Sequence, residues 1–324
     1  MKEIAIITGG DSSEYKISLE SANIVLKNLN PKKFTGTIVH IKNGKWTAII
    51  KDSHYKINKE DFSININNNK KYFDYVFMAL HGPPAENGEI QPYFDNLNIN
   101  YSSCTSEISA LTFNKMKCNK RLLEIGFHCA KSLIYKKGNN ININKIVNKL
   151  GLPCFVKPNQ AGSSFGVSKV KSEKDIKNAI NNALIHDNTV LIEQFIDGLE
   201  VSCGVITNQI GEIQAFPITE IISENEFFDY KAKYEGLSEE ITPARINQDQ
   251  KKAVQQTSIE IYKKMKLRGI CRIDFIIMNN IPYIIEINTI PGFSKESIIP
   301  KQAKEAGISL LQLFESCIKN TLNK

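Results

Sequence analysis

Short apolar runs alternate along the chain with segments that have helical spacing. The first run, IAIIT, is rich in β-branched residues and ends at a pair of glycines, which predicts a strand followed by a tight turn. Four later apolar residues fall on one face of a predicted helix: Ala22, Val25, Leu26 and Leu29. A strand, a glycine turn and a helix in this order predict the start of a doubly wound α/β sheet.

A second apolar run, DYVFMAL, leads into His81-Gly82-Pro83-Pro84, so it also predicts a strand that ends in a tight turn. Ligands of open α/β sheets bind outside such strand ends. We expect three domains: residues 1–103, a central part over 104–193 with an Asn-rich loop at 138–144, and a C-terminal part over 194–324.

In the C-terminal part, the sequence predicts consecutive strands rather than the strand-helix alternation of a parallel sheet. This part is therefore expected to belong to the α+β class. It contains VSCGVIT, a long loop at 223–245, and the runs RIDFIIM and PYIIEIN, whose short Asn-Asn connection predicts an antiparallel hairpin. Two helices with an apolar face are also predicted, the first with Val254, Ile261 and Met265 and the second with Leu310, Phe314 and Cys317.

Length and composition fit an enzyme of two or three domains. The chain has 324 residues, of which 42% are hydrophobic and 23% charged, an ordinary globular composition. No apolar run approaches the roughly 18 residues of a membrane helix. The start, MKEIAIITGG, is broken too early by glycine to be a signal peptide, so we expect a cytoplasmic protein without a membrane partner.

Cysteine usage and charge exclude two further classes. The seven cysteines are scattered and form no C-x-x-C pair, so we expect reduced thiols and neither disulfides nor a zinc site. The net charge is +7, but the lysines are spread among asparagine and isoleucine and form no stripe. We therefore expect no nucleic-acid partner.

Acidic and amide side chains interrupt the predicted hairpin. Asp274 lies on one strand, and Glu286 and Asn288 lie two apart on the other, so the latter two share a face. Three oxygen ligands can then converge on one edge, as Mg²⁺ prefers. The alternative is a solvated strand face with ordinary acids, but these residues interrupt an apolar strand, which favours the metal site.

A glycine-serine loop at 161–166 follows the strand that carries Lys157. Small residues let backbone N–H groups approach phosphate oxygens, and the lysine adds a positive charge. Such a loop alone is more often a flexible turn. Its position ahead of the acidic hairpin favours phosphate binding.

Five ordered segments together resemble the ATP-grasp superfamily, and within it the D-alanine:D-alanine ligase family, over nearly the whole chain. They are GGDSSEYKISLESA, HGPPAENGEIQ, FVKPNQAGSSFGVSKV, FFDYKAKYEG and CRIDFIIMNNIPYIIEINTIPGFSKES. The resemblance implies an ATP-grasp fold with an N-terminal Rossmann-like domain. It also implies that ATP phosphorylates the carboxylate of one D-alanine, and that the amine of a second attacks the acyl phosphate, in peptidoglycan precursor synthesis.

The resemblance also implies roles for the nucleotide and metal residues. Two metal ions are expected, either Mg²⁺ or Mn²⁺. Their expected ligands are Asp274, Glu286 and Asn288. The expected ATP-binding residues are Lys115, Lys157, Ser163, Ser164, Glu193, Ile196, Glu200 and Lys233.

For substrate and chemistry, the resemblance implies a hydrogen-bond network that binds the first D-alanine and an oxyanion hole. The network consists of Glu14, Ser163 and Tyr234, and the oxyanion hole of Arg272 and the N–H of Gly292. Three further residues are expected to contact substrate: His81, Ser297 and Ile298. Arg272 has a second possible role, pairing with Asp274, and His81 is as well explained by a structural role.

The chain departs from the family pattern H-G-x-x-G-E-D-G, because Ala85 and Asn87 replace the second glycine and the aspartate. A positive φ at Ala85 would cost about 1 kcal/mol or more. Two other functions compete with dipeptide synthesis: joining D-alanine to D-lactate, which the tyrosine on the 223–245 loop disfavours, and nucleotide binding without catalysis. The resemblance also implies a homodimer.

Overall fold

The computed structural model describes residues 1–162, 164–223 and 238–322. Ser163, Lys233 and Tyr234 lie outside the described residues, so the roles expected for them stay predictions. The first elements in chain order are β1 Lys2–Gly9, α1 Tyr15–Asn28, β2 Phe34–Lys42, β3 Lys45–Ile50, β4 Ser53–Lys56, β5 Ile64–Ile66, β6 Asn69–Lys71, β7 Tyr75–Met78, α2 Gln91–Asn96 and β8 Asn100–Tyr101.

Six of these strands form one sheet in the order β4-β3-β2-β1-β7-β8, with β1 parallel to both β2 and β7. The turn after β1 needs glycine: Gly9 has a φ of +104°, and a Cβ there would lie 2.3 Å from the carbonyl oxygen of Ile41. The predicted start of the α/β sheet is confirmed.

Helix α1 packs on this sheet, but one residue of its predicted apolar face is exposed. Ala22, Val25 and Leu29 are buried, whereas Leu26 is 37% exposed. Because successive helical residues are about 100° apart, the buried face continues from Val25 to Leu29 and leaves Leu26 at its edge.

A second sheet is antiparallel and has the order β10-β13-β11-β12. It belongs to the next stretch of elements: α3 Ser106–Phe113, α4 Lys115–Glu124, β9 His128–Cys129, β10 Ser132–Lys136, α5 Ile143–Leu150, β11 Cys154–Pro158, β12 Ser168–Val170, a 3₁₀ turn Glu173–Asp175, α6 Ile176–Ala183 and β13 Thr189–Gln194. Buried residues of α5 and α6 pack against apolar residues of this sheet.

The third sheet has the order β17-β16-β14-β18-β19-β9, with β15 beside β14. The remaining elements are β14 Leu199–Thr207, β15 Ile213–Ala215, β16 Thr219–Ser223, β17 Ser238–Ile241, α7 Gln248–Lys264, β18 Cys271–Met278, β19 Ile281–Asn288, α8 Ile298–Glu305 and α9 Leu310–Thr321. Val254, Ile261 and Met265 are buried, as predicted. In α9, Phe314 and Cys317 are buried and Leu310 is half-buried against the same core, which confirms that face.

The predicted hairpin is confirmed. Strands β18 and β19 pair antiparallel, and Asn279 and Asn280 connect them with φ values of 50° and 62°. Two successive positive φ angles suit the right-handed twist of a two-residue hairpin, and asparagine tolerates them well.

The predicted loop at 223–245 is too long. Strand β17 pairs with β16, with Ile222 opposite Glu239, so residues 238–241 are a strand. Its sequence, SEEI, has no apolar alternation, because β17 is an edge strand that needs little core contact. The domain limits at 103 and 193 stay predictions, although β9 pairs with β19 of the third sheet.

All seven cysteines are buried free thiols, as expected. The sulfur atoms of Cys104 and Cys271 lie 4.0 Å apart. Across the described residues, no helix is both long and apolar enough to cross a bilayer.

Candidate active site

Two cavities meet between the sheets. The larger, of about 550 Å³, is lined by the segments that follow β1, β7 and β19. The smaller, of about 140 Å³, lies where β11 and β13 of the second sheet face β18 and β19 of the third. Lys115, Ala161 and Glu286 line both cavities, so a molecule in one lies next to a molecule in the other.

The described residues that the sequence assigned to the site all line these cavities. The larger contains Glu14, His81, Lys115, Arg272, Glu286, Asn288, Gly292, Ser297 and Ile298. The smaller contains Lys115, Lys157, Ser164, Glu193, Ile196, Glu200, Asp274 and Glu286. Residues expected for substrate therefore gather in one cavity, and those expected for the nucleotide gather in the other.

A buried ion pair lies in the smaller cavity. The ammonium of Lys157 on β11 lies 2.5 Å from the carboxylate of Glu193 on the adjacent strand β13. The amide of Asn119, from α4, donates to the other carboxylate oxygen at 2.8 Å. No role is expected for Asn119 from the sequence, because a single asparagine in a predicted helix has no motif around it.

Lys115 begins helix α4 and lies at the junction of the cavities. Asn114 caps the helix, and the backbone N–H of Lys115 donates to the carbonyl oxygen of Asn159, just after β11. Its ammonium donates to the carbonyl oxygen of Ala161 at 2.7 Å and lies 3.9 Å from Glu286. A phosphate chain at this junction would meet this charge.

The hairpin brings Arg272 and Asp274 together. The guanidinium donates to both carboxylate oxygens, at 2.9 and 2.8 Å, so the ion pair considered from the sequence is present. Burial alone would lower the pKa of Arg272, but its charge and hydrogen-bond interactions with Asp274, together with the charges of Glu286 and Glu240, outweigh burial and raise that pKa above its ordinary value. Arg272 also lines the larger cavity. The ion pair with Asp274 is therefore compatible with the oxyanion role expected for Arg272.

The donor set on the hairpin suits a hard divalent cation. Asp274 lies opposite Glu286 across the strands, and the Asn288 amide lies 3.0 Å from Asp274, so two carboxylates and an amide share one edge. Within the described ranges, no group of three or more His, Cys, Asp or Glu side chains suits a metal ion. A metal here therefore depends on the amide oxygen of Asn288 and on ligands from the substrate.

His81 is buried, and both ring nitrogens have protein partners. Nδ1 lies 2.9 Å from the carbonyl oxygen of Ile290, and Nε2 lies 2.9 Å from the hydroxyl of Ser21. Burial lowers the pKa of His81. Of the two roles expected for His81, these described contacts therefore support the structural one.

Glu86 is a site residue that the sequence analysis missed. It lines the larger cavity, and its carboxylate lies 3.9 Å from Nδ1 of His81. Burial raises the pKa of Glu86 well above its ordinary value, and the nearby charge of Glu14 raises it further. The signal that could have identified Glu86 was its position directly after Ala85, in the HGPPAENG segment that resembles the family pattern.

Glu14 lies just before α1, against two glycines. A Cβ on Gly162 would lie 3.0 Å from its carboxylate, and a Cβ on Gly82 would lie 3.3 Å away. These glycines therefore let the glycine-serine loop and the turn after β7 approach the carboxylate closely.

Gly292 and Ser297 lie together at the other side of the larger cavity. A Cβ at Gly292 would lie 2.6 Å from the hydroxyl oxygen of Ser297, so only glycine fits there without a shift. Ser297 immediately precedes helix α8, which begins at Ile298. The N-terminus of a helix attracts a carboxylate, because its first N–H groups are free and its dipole is positive there.

Two largely antiparallel sheets that enclose a small cavity with paired lysine and acidic residues, next to an acidic hairpin, are typical of an ATP-grasp ligase. A family model described as "D-ala D-ala ligase N-terminus" matches residues 3–104, and one described as "D-ala D-ala ligase C-terminus" matches residues 126–319. The chain belongs to the D-alanine–D-alanine ligase family.

Individual relatives and solved structures support this family membership. The chain is 51% identical to a D-alanine–D-alanine ligase of Flavobacterium johnsoniae, over 99% of this chain and 100% of the relative, and 49% identical to one of Christiangramia forsetii, over 100% and 99%. Its structure is similar to that of the VanG D-Ala:D-Ser ligase from Enterococcus faecalis, with a TM-score of 0.88 and 31% identity over 99% of both chains. A D-alanine–D-alanine ligase from Bacillus anthracis complexed with ATP matches with a TM-score of 0.79 and 26% identity, over 99% and 97%.

Proposed function

We propose that this protein joins two D-alanine molecules to D-alanyl-D-alanine and converts ATP to ADP and phosphate, for peptidoglycan precursor synthesis. The observation that carries the proposal is the junction of the two cavities at Lys115 and Glu286. The γ-phosphate of a nucleotide in the smaller cavity would there meet a carboxylate in the larger one.

The smaller cavity would bind the nucleotide. Its Lys157, Glu193 and Glu200 offer charged groups to the base, ribose and phosphates, and Ile196 offers an apolar wall. Phe155 and Tyr283 also line it, on β11 and β19, and aromatic faces suit a purine. The resemblance of the whole chain to ligases supports ATP as this nucleotide.

The larger cavity would bind the first D-alanine by its two charges. Glu14 would hold the ammonium group, and the carboxylate would lie toward Lys115 at the junction. The carboxylate oxygen then attacks the γ-phosphorus, and ADP leaves with the former bridging oxygen. This step is needed because a carboxylate is a poor electrophile, whereas an acyl phosphate has a good leaving group.

The second D-alanine would lie toward Ser297 and Ile298, where the N-terminus of α8 suits its carboxylate. Its neutral amine attacks the acyl carbon, phosphate leaves and the amine loses a proton. Arg272 and the N–H of Gly292 would stabilise the oxyanion that forms in between, and one such donor typically contributes about 3 kcal/mol.

Asp274, Glu286 and Asn288 would hold the magnesium or manganese ions. Such ions neutralise phosphate oxygens during transfer. Arg272 already balances the charge of Asp274, which keeps the guanidinium beside the reacting groups. Ser163, Lys233 and Tyr234 remain predictions for the network around Glu14 and the phosphates.

We place the reaction in the cytoplasm, since seven free thiols and a need for ATP both fit that compartment. The assembly proposed from the family is a homodimer, which sedimentation of the purified protein tests. A D-lactate-using enzyme is the weaker alternative, because the curated relatives at 51% and 49% identity are named dipeptide-forming ligases.

The test is phosphate release by the purified protein with ATP and Mg²⁺, with the product identified by mass. The arms are D-alanine, L-alanine, D-alanine with D-lactate, and D-alanine with D-serine. We expect D-alanyl-D-alanine from D-alanine alone, no product from L-alanine and no depsipeptide. Exclusive use of D-serine or D-lactate as the second substrate would contradict the proposal.

A pair of variants tests the site itself. Glu286→Gln should reduce turnover at least about 100-fold, because one metal ligand loses its charge. Glu124→Gln removes a carboxylate from the exposed end of α4 and should retain full turnover. Equal activity of the two variants would exclude Glu286 from the reaction.

A further inference from the structure

Two serines on the buried face of α1 contact the segment that follows β7. Ser18 and Ser21 are fully buried. The hydroxyl of Ser18 accepts from the backbone N–H of His81 at 3.0 Å and donates to the carbonyl oxygen of Glu14 at 3.1 Å. The hydroxyl of Ser21 lies 2.9 Å from Nε2 of His81. Helix α1 therefore fixes both the backbone and the ring of His81.

The directions of the hydrogen bonds around Ser21 follow from their fixed partners. The carbonyl oxygen of Ile290 only accepts, so Nδ1 of His81 carries a proton and donates to it. The backbone N–H of Phe293 only donates, and it donates to the Ser21 oxygen at 3.1 Å. The hydroxyl proton of Ser21 is then available for Nε2. The network is complete with a neutral imidazole protonated on Nδ1.

These contacts hold one short turn at both ends. His81 binds the carbonyl group of Ile290 on one side of Pro291-Gly292, and Ser21 binds the N–H of Phe293 on the other. The ring of Phe293 is buried and packs edge-on against Phe77 of β7, with centroids 5.9 Å apart. The turn that carries the proposed oxyanion donor is thus attached to α1 and β7.

We infer that Ser21 is a positioning residue for this reaction. It fixes the tautomer of His81 and, together with that ring, the position of the Gly292 N–H relative to Glu14, which precedes the same helix. The inference rests on the proposed function, because Gly292 matters in this way only if an oxyanion forms beside it. A displacement of about 1 Å in such a group can cost up to about 100-fold in rate.

A buried helical serine often bonds a carbonyl oxygen of its own helix. Ser258 in α7 is fully buried, and its hydroxyl donates to the carbonyl oxygen of Val254 at 2.8 Å. It also forms a hydrogen bond with Cys203 of β14, and neither residue lines either cavity. The described partners of Ser21 belong instead to two other segments, which are 60 and 272 residues away in sequence. Ser258→Ala is therefore the matched control for Ser21→Ala.

Steady-state kinetics provide the first test. We expect Ser21→Ala to reduce kcat about 10- to 100-fold and to leave the KM for ATP within about twofold, because Ser21 does not line the nucleotide cavity. Ser21→Cys keeps a weak donor of similar size and should recover part of kcat. Ser258→Ala should retain kcat. A kcat of Ser21→Ala equal to that of Ser258→Ala would overturn the inference.

The ¹⁵N NMR spectrum of the histidine-labelled wild-type protein provides a second test that needs no activity. The signals of His81, assigned by their loss in His81→Gln, should show a protonated Nδ1 and an unprotonated Nε2 at neutral pH, and the Nε2 signal should shift in Ser21→Cys. A protonated Nε2 in the wild type would overturn the inference. Absence of dipeptide synthesis in the wild type would instead refute the proposed function, and the tautomer would still be measurable.

Discussion

The ammonium of Lys157 and the carboxylate of Glu193 form a buried ion pair, with side chains only 8% and 10% exposed. Both were assigned to the nucleotide, and in the structure they contact each other. A bound nucleotide would therefore meet an organised pair of charges. Removing one partner leaves a buried charge with less compensation.

The first prediction follows from this pair. Lys157→Met should lower the free energy of unfolding by about 3 kcal/mol. The buried carboxylate of Glu193 then loses its positive partner and, among the described contacts, keeps the hydrogen bond from Asn119. Urea denaturation measures this change. Lys120→Met breaks an exposed pair with Glu124 and should change stability by less than about 1 kcal/mol. Equal effects of the two variants would show that the buried pair is not formed in solution.

Asn119 gives the second prediction. Its amide donates to a carboxylate oxygen of Glu193, and hydrogen bonds to charged groups contribute about 1.5–3 kcal/mol. Asn119→Leu should therefore raise the KM for ATP about tenfold or more and leave the KM for D-alanine unchanged. Asn320→Leu removes a similar amide, which donates to the carbonyl oxygen of Thr207, and should change neither constant. A rise in the KM for D-alanine alone would contradict the assignment.

The third prediction concerns pH. Burial raises the pKa of Glu86 above its ordinary value of 4.5, so above pH 4.5 the folded protein keeps a proton that the unfolded chain releases. This group therefore contributes a stability that is lost as the pH rises above 4.5, with a slope of at most about 1.4 kcal/mol per pH unit. Glu86→Gln should remove this loss and be more stable than the wild type at neutral pH.

Denaturation curves between pH 4 and pH 8 measure this effect. The gain in stability of Glu86→Gln should grow with pH, whereas Glu89→Gln, at an exposed neighbouring position, should show no such trend. A gain that is independent of pH would mean that Glu86 does not hold its proton in the folded protein.

Ala85 gives the fourth prediction. It is fully buried, and its φ is not among the positive values, so the strain considered from the family pattern is absent. Ala85→Gly should therefore destabilise the protein by about 1 kcal/mol, since glycine increases the conformational entropy of the unfolded chain and the change removes a buried methyl group. Thermal unfolding and kcat measure the outcome. A more stable or more active variant would show that alanine is strained at this position.

Elements with local signals follow from the amino-acid sequence alone. The IAIIT run before a glycine pair, the apolar face of α7 and the Asn279-Asn280 hairpin each depend on neighbouring residues, and all appear in the structure. Ordered motifs also identified the family, because their spacing reflects a shared fold. The edge strand β17 lacked such a signal, since its residues pair by backbone groups and have few apolar side chains.

Contacts between distant side chains depend instead on how the elements pack together. Ser21, His81 and Phe293 come from three separate segments, and their hydrogen bonds exist only because β7, α1 and the turn after β19 pack together. Asn119 and Glu86 likewise acquire their partners, and Glu86 its raised pKa, through burial that no local pattern specifies. The sequence thus indicated which residues carry the chemistry, and long-range packing set their charge and position.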